Sequence, residues 1–429
     1  MTLPESDESQ SAARRAALWS FAAFFCLMLG YYILRPVREG FGVEDDKSTL
    51  KYLYLGTFVG ILIAVPLYSY LVSKTSRKTF IPFVFRFFSI NLILFSTAIS
   101  LLDDNRWAGR IFYCWLSVYS VFTVSIVWSY LVDLFTTKQT QALFGPIAVG
   151  MSAGAIVGSL ITDLGIDQLG LAGLLLIPVA IIELVLFSLR RVELIASSRE
   201  FDSNSGMNSE ADEPIKGSII EGVKVVANSK YLVHICLLLF CAAGATTIFY
   251  FAQNNFVREA FANDMHGKTK FFARMNLATQ IVTIALQGLV VGQLVKKVGI
   301  TTALCVLPFV GLIGLVVLGL HGGLGALIPC YVLLKGTGRG IASPTKQMLF
   351  SVVDRQQKYK SKNFIDTVVV RASDVIVVWI LTAMQVDLGM EVSTIVITTI
   401  PLALVWLFTA FKLGRLHDKR LSTQTTLVD

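Results

Sequence analysis

Apolar runs of about twenty residues recur along this whole chain, and each is long enough to cross a hydrocarbon core ~30 Å thick. Lipid offers the backbone no hydrogen-bond partners. A spanning run must therefore satisfy its own amides and carbonyls, as a helix does internally and a closed barrel does between strands. The alternation of a barrel strand is absent from these runs. Helices are predicted over residues 16–37, 51–73, 79–101, 111–134, 142–163, 168–189, 230–254, 269–295, 301–320, 325–352, 363–386 and 392–412. Only 15% of the 429 residues are charged, against about a quarter in soluble domains, and mean hydropathy is +0.66. The expected fold class is an all-α membrane protein with twelve transmembrane helices. The first run follows Arg14 and Arg15, is too long for a signal-peptide core and lacks a clear cleavage site, so it reads as a retained span.

Loop charges orient the chain. Lys74, Arg77, Lys78, Arg190, Arg191, Lys296, Lys297, the Arg355–Lys362 cluster and Lys412–Arg420 fall on one side, and Glu44, Asp45, Asp46, Asp103, Asp104, Asp387 and Glu391 on the other. The positive-inside bias places both termini in the cytoplasm, with the bacterial inner membrane as the expected location. The net charge of +8 is largely this bias, so no nucleic-acid partner is expected. The six cysteines lie in apolar runs without CxxC spacing and the four histidines are scattered, so neither a disulfide framework, a metal site nor a cofactor is implied. The expected organisation is an N-terminal cytoplasmic tail (1–15), a six-helix bundle (16–191), a polar cytoplasmic linker (192–229), a second six-helix bundle (230–414) and a C-terminal tail (415–429). Within the linker, Ile219 to Val226 is amphipathic.

The halves echo each other. Val37-Arg38-Glu39-Gly40-Phe41 returns as Val257-Arg258-Glu259-Ala260-Phe261, Leu71-Val72-Ser73-Lys74 as Leu294-Val295-Lys296-Lys297, and Leu131-Val132-Asp133 as Val352-Val353-Asp354. The offsets are 220, 223 and 221 residues. A nearly constant offset at matching positions predicts two parallel six-helix repeats. That is the architecture of the major facilitator superfamily, in which substrate binds between the halves near the bilayer midplane.

Charges inside apolar runs are costly, roughly 2.5–3.5 kcal/mol per cation at a helix centre on insertion scales, and so mark candidate function. The intramembrane cations are Arg35, Arg86, Arg274, Lys335, Arg339, Lys346 and Arg371; the acids are Glu183, Asp366 and Asp374, with Asp133 at a span end. The excess is positive and suits an anionic cargo such as a phosphate. Lys335 and Arg339 lie about 15 and 21 Å down their span and share a face at i, i+4. Gly336, Gly338 and Pro344 predict a kinked or loosened helix there. Lys346 falls near the same face and either snorkels to the inner headgroups or gates. Arg371 and Asp374, at i, i+3, form a coupling or gating pair or a neutralised structural one. Asp366 and Lys362 suggest a cytoplasmic-side gate pair. Tyr31, Tyr32 and Arg35 suit a planar anion, or else belong to the interface. Snorkelling is open for Arg86 and Arg274. Gly150, Gly154 and Gly158 allow close helix approach or a hinge. The Gly336–Gly340 run is no Walker loop, and no nucleophile–base arrangement suggests an enzyme.

Three stretches carry a family resemblance: Gly30-Tyr31-Tyr32-Ile33-Leu34-Arg35-Pro36-Val37-Arg38; Val127-Trp128-Ser129-Tyr130-Leu131-Val132-Asp133-Leu134-Phe135 with Leu143-Phe144-Gly145; and Ser343-Pro344-Thr345-Lys346 through Lys358-Tyr359-Lys360-Ser361-Lys362-Asn363-Phe364-Ile365-Asp366-Thr367. Together they resemble the bacterial relatives of the ATP/ADP translocases of plastids and intracellular bacteria, a branch of the major facilitator superfamily. The resemblance implies exchange of nucleotides across a bilayer. The expected function is a secondary transporter that moves an anionic solute, a nucleotide or phosphorylated metabolite, by exchange and acts as a monomer. The alternatives are a proton-coupled carrier of another organic anion, with Asp374 or Glu183 protonated, and a scaffold or sensor that moves nothing.

Overall fold

The computed structural model describes residues 7–197 and 219–425, apart from 45, 76, 103, 136, 290, 355, 356, 358–360 and 363. Most of the expected linker, the extreme ends of both tails and most of the Arg355–Lys362 cluster lie outside the described residues. Among the described residues the regular structure is helical throughout. In chain order the helices are α1 (Asp7–Glu44), α2 (Thr49–Lys74), α3 (Arg77–Leu101), α4 (Arg106–Leu134), α5 (Thr137–Ala196), α6 (Ile219–Ala227), α7 (Lys230–Phe261), α8 (Met265–Leu289), α9 (Val291–His321), α10 (Gly323–Thr337), α11 (Ser343–Leu349), α12 (Val370–Val386), α13 (Val392–Thr398) and α14 (Ile400–Thr425). Two π turns, Gly338–Ala342 and Ile365–Val369, interrupt the series. Eight helices among the described residues are long and apolar enough to cross a membrane; one stretch, Ile147–Ala196, is 50 residues long.

Two breaks fall away from the places predicted. The gap expected at 164–167 is continuous helix, and the chain turns instead at Gly170, with φ 64°. The turn at Gly299, with φ 79°, falls inside the gap expected at 296–300. Left-handed backbone costs an L-residue roughly 1–2 kcal/mol and glycine almost nothing, so the glycine rather than the polar residues takes the bend. The span expected at 392–412 is split after Thr398, and its second part runs on to Thr425.

The loosened helix predicted around Gly336–Pro344 takes the form of a π turn. The Ser343 amide donates to the Gly338 carbonyl, five residues back. Pro344 has no amide to continue the α ladder, so a wider turn there sacrifices fewer bonds. The second π turn closes similarly, Val370 N–H donating to Ile365 C=O.

The chain divides into two compact units. Unit one comprises Met1–Glu44, Val59–Asp212 and Asn263–Leu277, and unit two Asp45–Phe58, Glu213–Ala262 and Ala278–Asp429. The first turns of α8 thus belong with α1–α5, and the first turns of α2 with α7–α14. In unit one, α1 packs along α5 over the stripe Gly150, Gly154 and Gly158. A Cβ at these positions would lie 2.8, 2.2 and 2.5 Å from the carbonyl oxygens of Phe21, Phe25 and Leu29. Lipid tails are as apolar as leucine, so helix association rests on such close approach rather than on exclusion of water. Phe24, Ile33, Leu174 and Val185 fill the core beside it. In unit two, Ile235, Phe350, Trp406 and Leu413 form the corresponding core.

Candidate functional site

Unit one concentrates charge on one stretch of α1. Glu39 is only 4% exposed. Its Oε1 lies 3.6 Å from Arg35 Nε and 3.3 Å from Arg38 Nη1. Arg38 also donates from Nε to the Tyr113 carbonyl at 3.1 Å, and its guanidinium stands 3.9 Å over the Tyr113 ring. Arg35 donates to the Tyr32 hydroxyl at 3.4 Å and lies 5.5 Å from that ring, which packs edge-on against Tyr31. Pro36 deprives the Tyr32 carbonyl of its helical donor; next to it, the Ile33 carbonyl accepts from Thr162 of α5 at 3.2 Å. The pairing of two guanidiniums with one buried carboxylate makes that carboxylate tolerable away from water.

A second set in unit one joins α5 to the first turns of α8. Arg274 Nε lies 2.8 Å from Asp163 Oδ1. Lys270 bonds Asp167, and His266 Nδ1 lies 3.9 Å from the same carboxylate. Asp163 and Asp167 are spaced i, i+4, as are Lys270 and Arg274, so two helix faces meet as a charge ladder. Sequence reasoning passed over both aspartates: i, i+4 spacing marks a charged face on each helix but not which faces meet. Arg86 pairs with Glu183 through two contacts of 3.3 and 3.4 Å. Arg86 and Arg274 thus each form an ion pair with α5, which neutralises the charge locally.

Unit two assembles its cluster from three helices. Asp374 of α12 accepts from Thr247 of α7 at 2.8 Å and lies 3.5 Å from Arg371 Nη1, one turn back on its own helix. Lys335 of α10 is close enough to act electrostatically on the same carboxylate, and its ammonium stands 5.5 Å from the Tyr331 ring. Only 15% of the Asp374 side chain is exposed. Arg339 lies partly buried within the first π turn, four residues beyond Lys335. The glycines on either side seat this segment on α8: a Cβ at Gly336 would lie 2.5 Å from Val282 Cγ1, and one at Gly340 2.8 Å from Leu286 Cβ. A cavity of about 230 Å³ opens against the turn, bordered by Leu307, Gly338, Ser343, Lys346 and Trp406.

Lys346 Nζ lies 2.6 Å from Asp366 Oδ1, tying α11 to the second π turn. Lys362, expected beside Asp366 from spacing, donates from Nζ to Gln347 of α11 at 2.8 Å. Asp133 lies on α4, with its side chain outside the described residues. Among the described residues no group of three or more His, Cys, Asp or Glu is placed to hold a metal.

Long apolar helices with charge gathered at breaks in their interiors define a class: a multi-pass, all-helical membrane transporter. The family model of the Major Facilitator Superfamily matches residues 21–359, and the chain belongs to that superfamily. The resemblance to ATP/ADP translocases extends along nearly the whole chain. ADP,ATP carrier protein 1 of Chlamydia trachomatis serovar D is 21% identical, over 92% of this chain and 87% of its own length. Among solved structures, the nucleoside transporter NupG superposes with a TM-score of 0.64 at 11% identity, covering 94% of this chain and 98% of that one. A POT family transporter in complex with 5-aminolevulinic acid gives 0.65 at 13% identity, covering 94% and 96%. At such identities the likeness is one of fold.

Proposed function

We propose that the chain is a secondary transporter working by alternating access and exchanging anionic solutes, a nucleotide or another phosphorylated metabolite, across the bacterial inner membrane. The proposal includes twelve spans in two parallel repeats of six, bundles at 16–191 and 230–414, and cytoplasmic termini. The observation that carries it is the convergence of Lys335 and Arg371 on Asp374 beside a π turn. These three side chains sum to one positive charge. A phosphate entering there competes with Asp374 for the same donors, and charge-assisted bonds to phosphate are the strong ones. When cargo leaves, Asp374 takes the vacated cations, which disfavours movement of the empty carrier and suits exchange.

In this reading Lys335 and Arg339 hold phosphate oxygens, while Arg35 with Tyr31 and Tyr32 offers a cationic and aromatic surface for a planar group. Arg371 and Asp374 couple, and Lys346, Asp366, Lys362 and Asp133 gate. The stripe Gly150, Gly154, Gly158 serves packing. The deciding experiment is uptake of labelled ATP, ADP and phosphate into proteoliposomes, preloaded with unlabelled solute or empty. Uptake that needs no internal solute removes exchange. Uptake of none of these solutes removes the phosphorylated cargo.

A second reading draws on the same carboxylate. Asp374 is largely buried, with 15% of its side chain exposed, within the eleventh expected span, which suits a group that takes up a proton during a proton-coupled cycle. It predicts uptake driven by a pH gradient into empty liposomes.

A further inference from the structure

The Arg86–Glu183 pair has a feature that cargo binding does not use. The two side chains are 64% and 53% exposed, although both lie within apolar spans. Arg86 is seven residues inside the span beginning at Thr79, and Glu183 seven residues before Arg190 on α5. At 1.5 Å per residue Arg86 stands about 10 Å inside the span end at Thr79 and Glu183 about 10 Å before Arg190, depths from which long side chains snorkel toward the headgroups. Around them the exposed residues are Phe83, Phe87, Ile90 and Leu184.

Two hollows meet at Arg86. One, of about 450 Å³, is bordered by Arg86, Glu183, Arg190, Glu193 and Tyr130. The other, of about 540 Å³, is bordered by Thr79, Phe83, Phe87 and Ile90. They share Pro82 and Arg86. A polar hollow opening into an apolar one fits an amphiphile, and two arginines facing two glutamates fit a head that is neutral overall and charged at both ends. Arg86 donates to Glu183 from Nε and Nη2, which leaves Nη1 of the fork directed elsewhere. In a phospholipid the phosphate adjoins the chains and the amine lies beyond it. Here Arg86 adjoins the apolar hollow, and Glu183 and Glu193 lie on the polar side.

We propose that this cleft between α3 and the second part of α5 binds a membrane phospholipid with a primary-amine head, its phosphate held by Arg86, its ammonium by Glu183 and Glu193, and one chain along Phe83 and Phe87. The site is independent of the cargo reading. A primary ammonium offers three N–H donors to the carboxylates; a trimethylated one offers none.

The test is native mass spectrometry of the full chain in detergent, titrated with phosphatidylethanolamine, its mono-, di- and trimethylated forms, and phosphatidylglycerol. The expected result is retention that falls stepwise with methylation, to about tenfold weaker for phosphatidylcholine, with phosphatidylglycerol no tighter than phosphatidylcholine. Equal retention across the methylation series, or preference for phosphatidylglycerol, overturns the proposal without recourse to any variant. The charge-swapped double variant R86E/E183R preserves the ion pair but puts a carboxylate where the phosphate sits. About tenfold loss of phosphatidylethanolamine is expected from it, whereas retention equal to the parent assigns the pair a purely structural role.

Discussion

Unit one draws its charge cluster from adjacent turns of a single helix, α1, whereas unit two builds its own from α7, α10 and α12. The contrast is sharper because the two stretches resemble each other in sequence. At the offset of 220, Arg35 corresponds to Asn255, Arg38 to Arg258 and Glu39 to Glu259. Glu39 is buried between two arginines, while Glu259 is exposed near the end of α7. Asn255 accepts from Gln385 at 2.7 Å and from Arg258 at 3.5 Å, an amide network in place of an ionic one. One stretch holds an ionic cluster; in the other unit the cluster lies on helices flanked by π turns. The two stretches share letters, and the neighbours decide whether those letters are ionic, amide or solvated.

The largest expected effect separates the two clusters by function. Lys335→Ala combined with Arg339→Ala removes two charge-assisted contacts to cargo, each worth roughly 1.5–3 kcal/mol, and should lower anion uptake in proteoliposomes at least about a hundredfold. Arg35→Ala removes one and should lower it about tenfold. The reverse ranking would place the primary anion site in unit one.

Next comes stability. Glu39→Ala strands two guanidiniums that shared one buried carboxylate, a loss of roughly 2–3 kcal/mol. The same change at exposed Glu259 should fall within about 0.5 kcal/mol. Thermal unfolding of the purified proteins measures both, and equal losses would erase the contrast between the two stretches.

Packing sets the third test. Gly154→Ala puts a methyl group 2.2 Å from the Phe25 carbonyl oxygen, an obstacle made of backbone, and should cost about 1–3 kcal/mol. At Gly338 the nearest atom is a Leu307 methyl at 3.8 Å, so Gly338→Ala should be tolerated in stability. A rise in melting temperature for the first variant would show that α1 and α5 are not held as closely as described.

The smallest effect is expected at Lys346. Its pair with Asp366 is partly solvated, with side chains 25% and 39% exposed, so Lys346→Ala should cost under about 1 kcal/mol and change uptake only a few-fold. Uptake as well as melting unchanged would make this pair a minor tie rather than a gate.

Much of this was legible beforehand. The helices follow from apolar length. The Arg371–Asp374 contact follows from spacing on one helix, because a helix fixes which residues share a face; the Arg35–Glu39 contact has comparable spacing but was passed over. Gly336, Gly338 and Pro344 signalled the disrupted segment that appears as a π turn. Asp163, Asp167 and the partners of Arg86 and Lys346 were not legible. Each contact joins residues separated by 20 to 111 positions, and only the facing of one helix to another brings them together.

By itself the sequence determined that the chain crosses lipid as helices, because a backbone in hydrocarbon must bond within its own segment. It also determined that charge would be carried inside some of them. The tertiary structure alone decided that a bend falls at Gly170, that α2 and α8 each lend their first turns to the unit built mainly from the other half, and which cation meets which carboxylate. Apolar length is a property of one segment. Helix partners in a membrane are chosen by close packing and a few polar contacts, and these exist only once two helices are face to face.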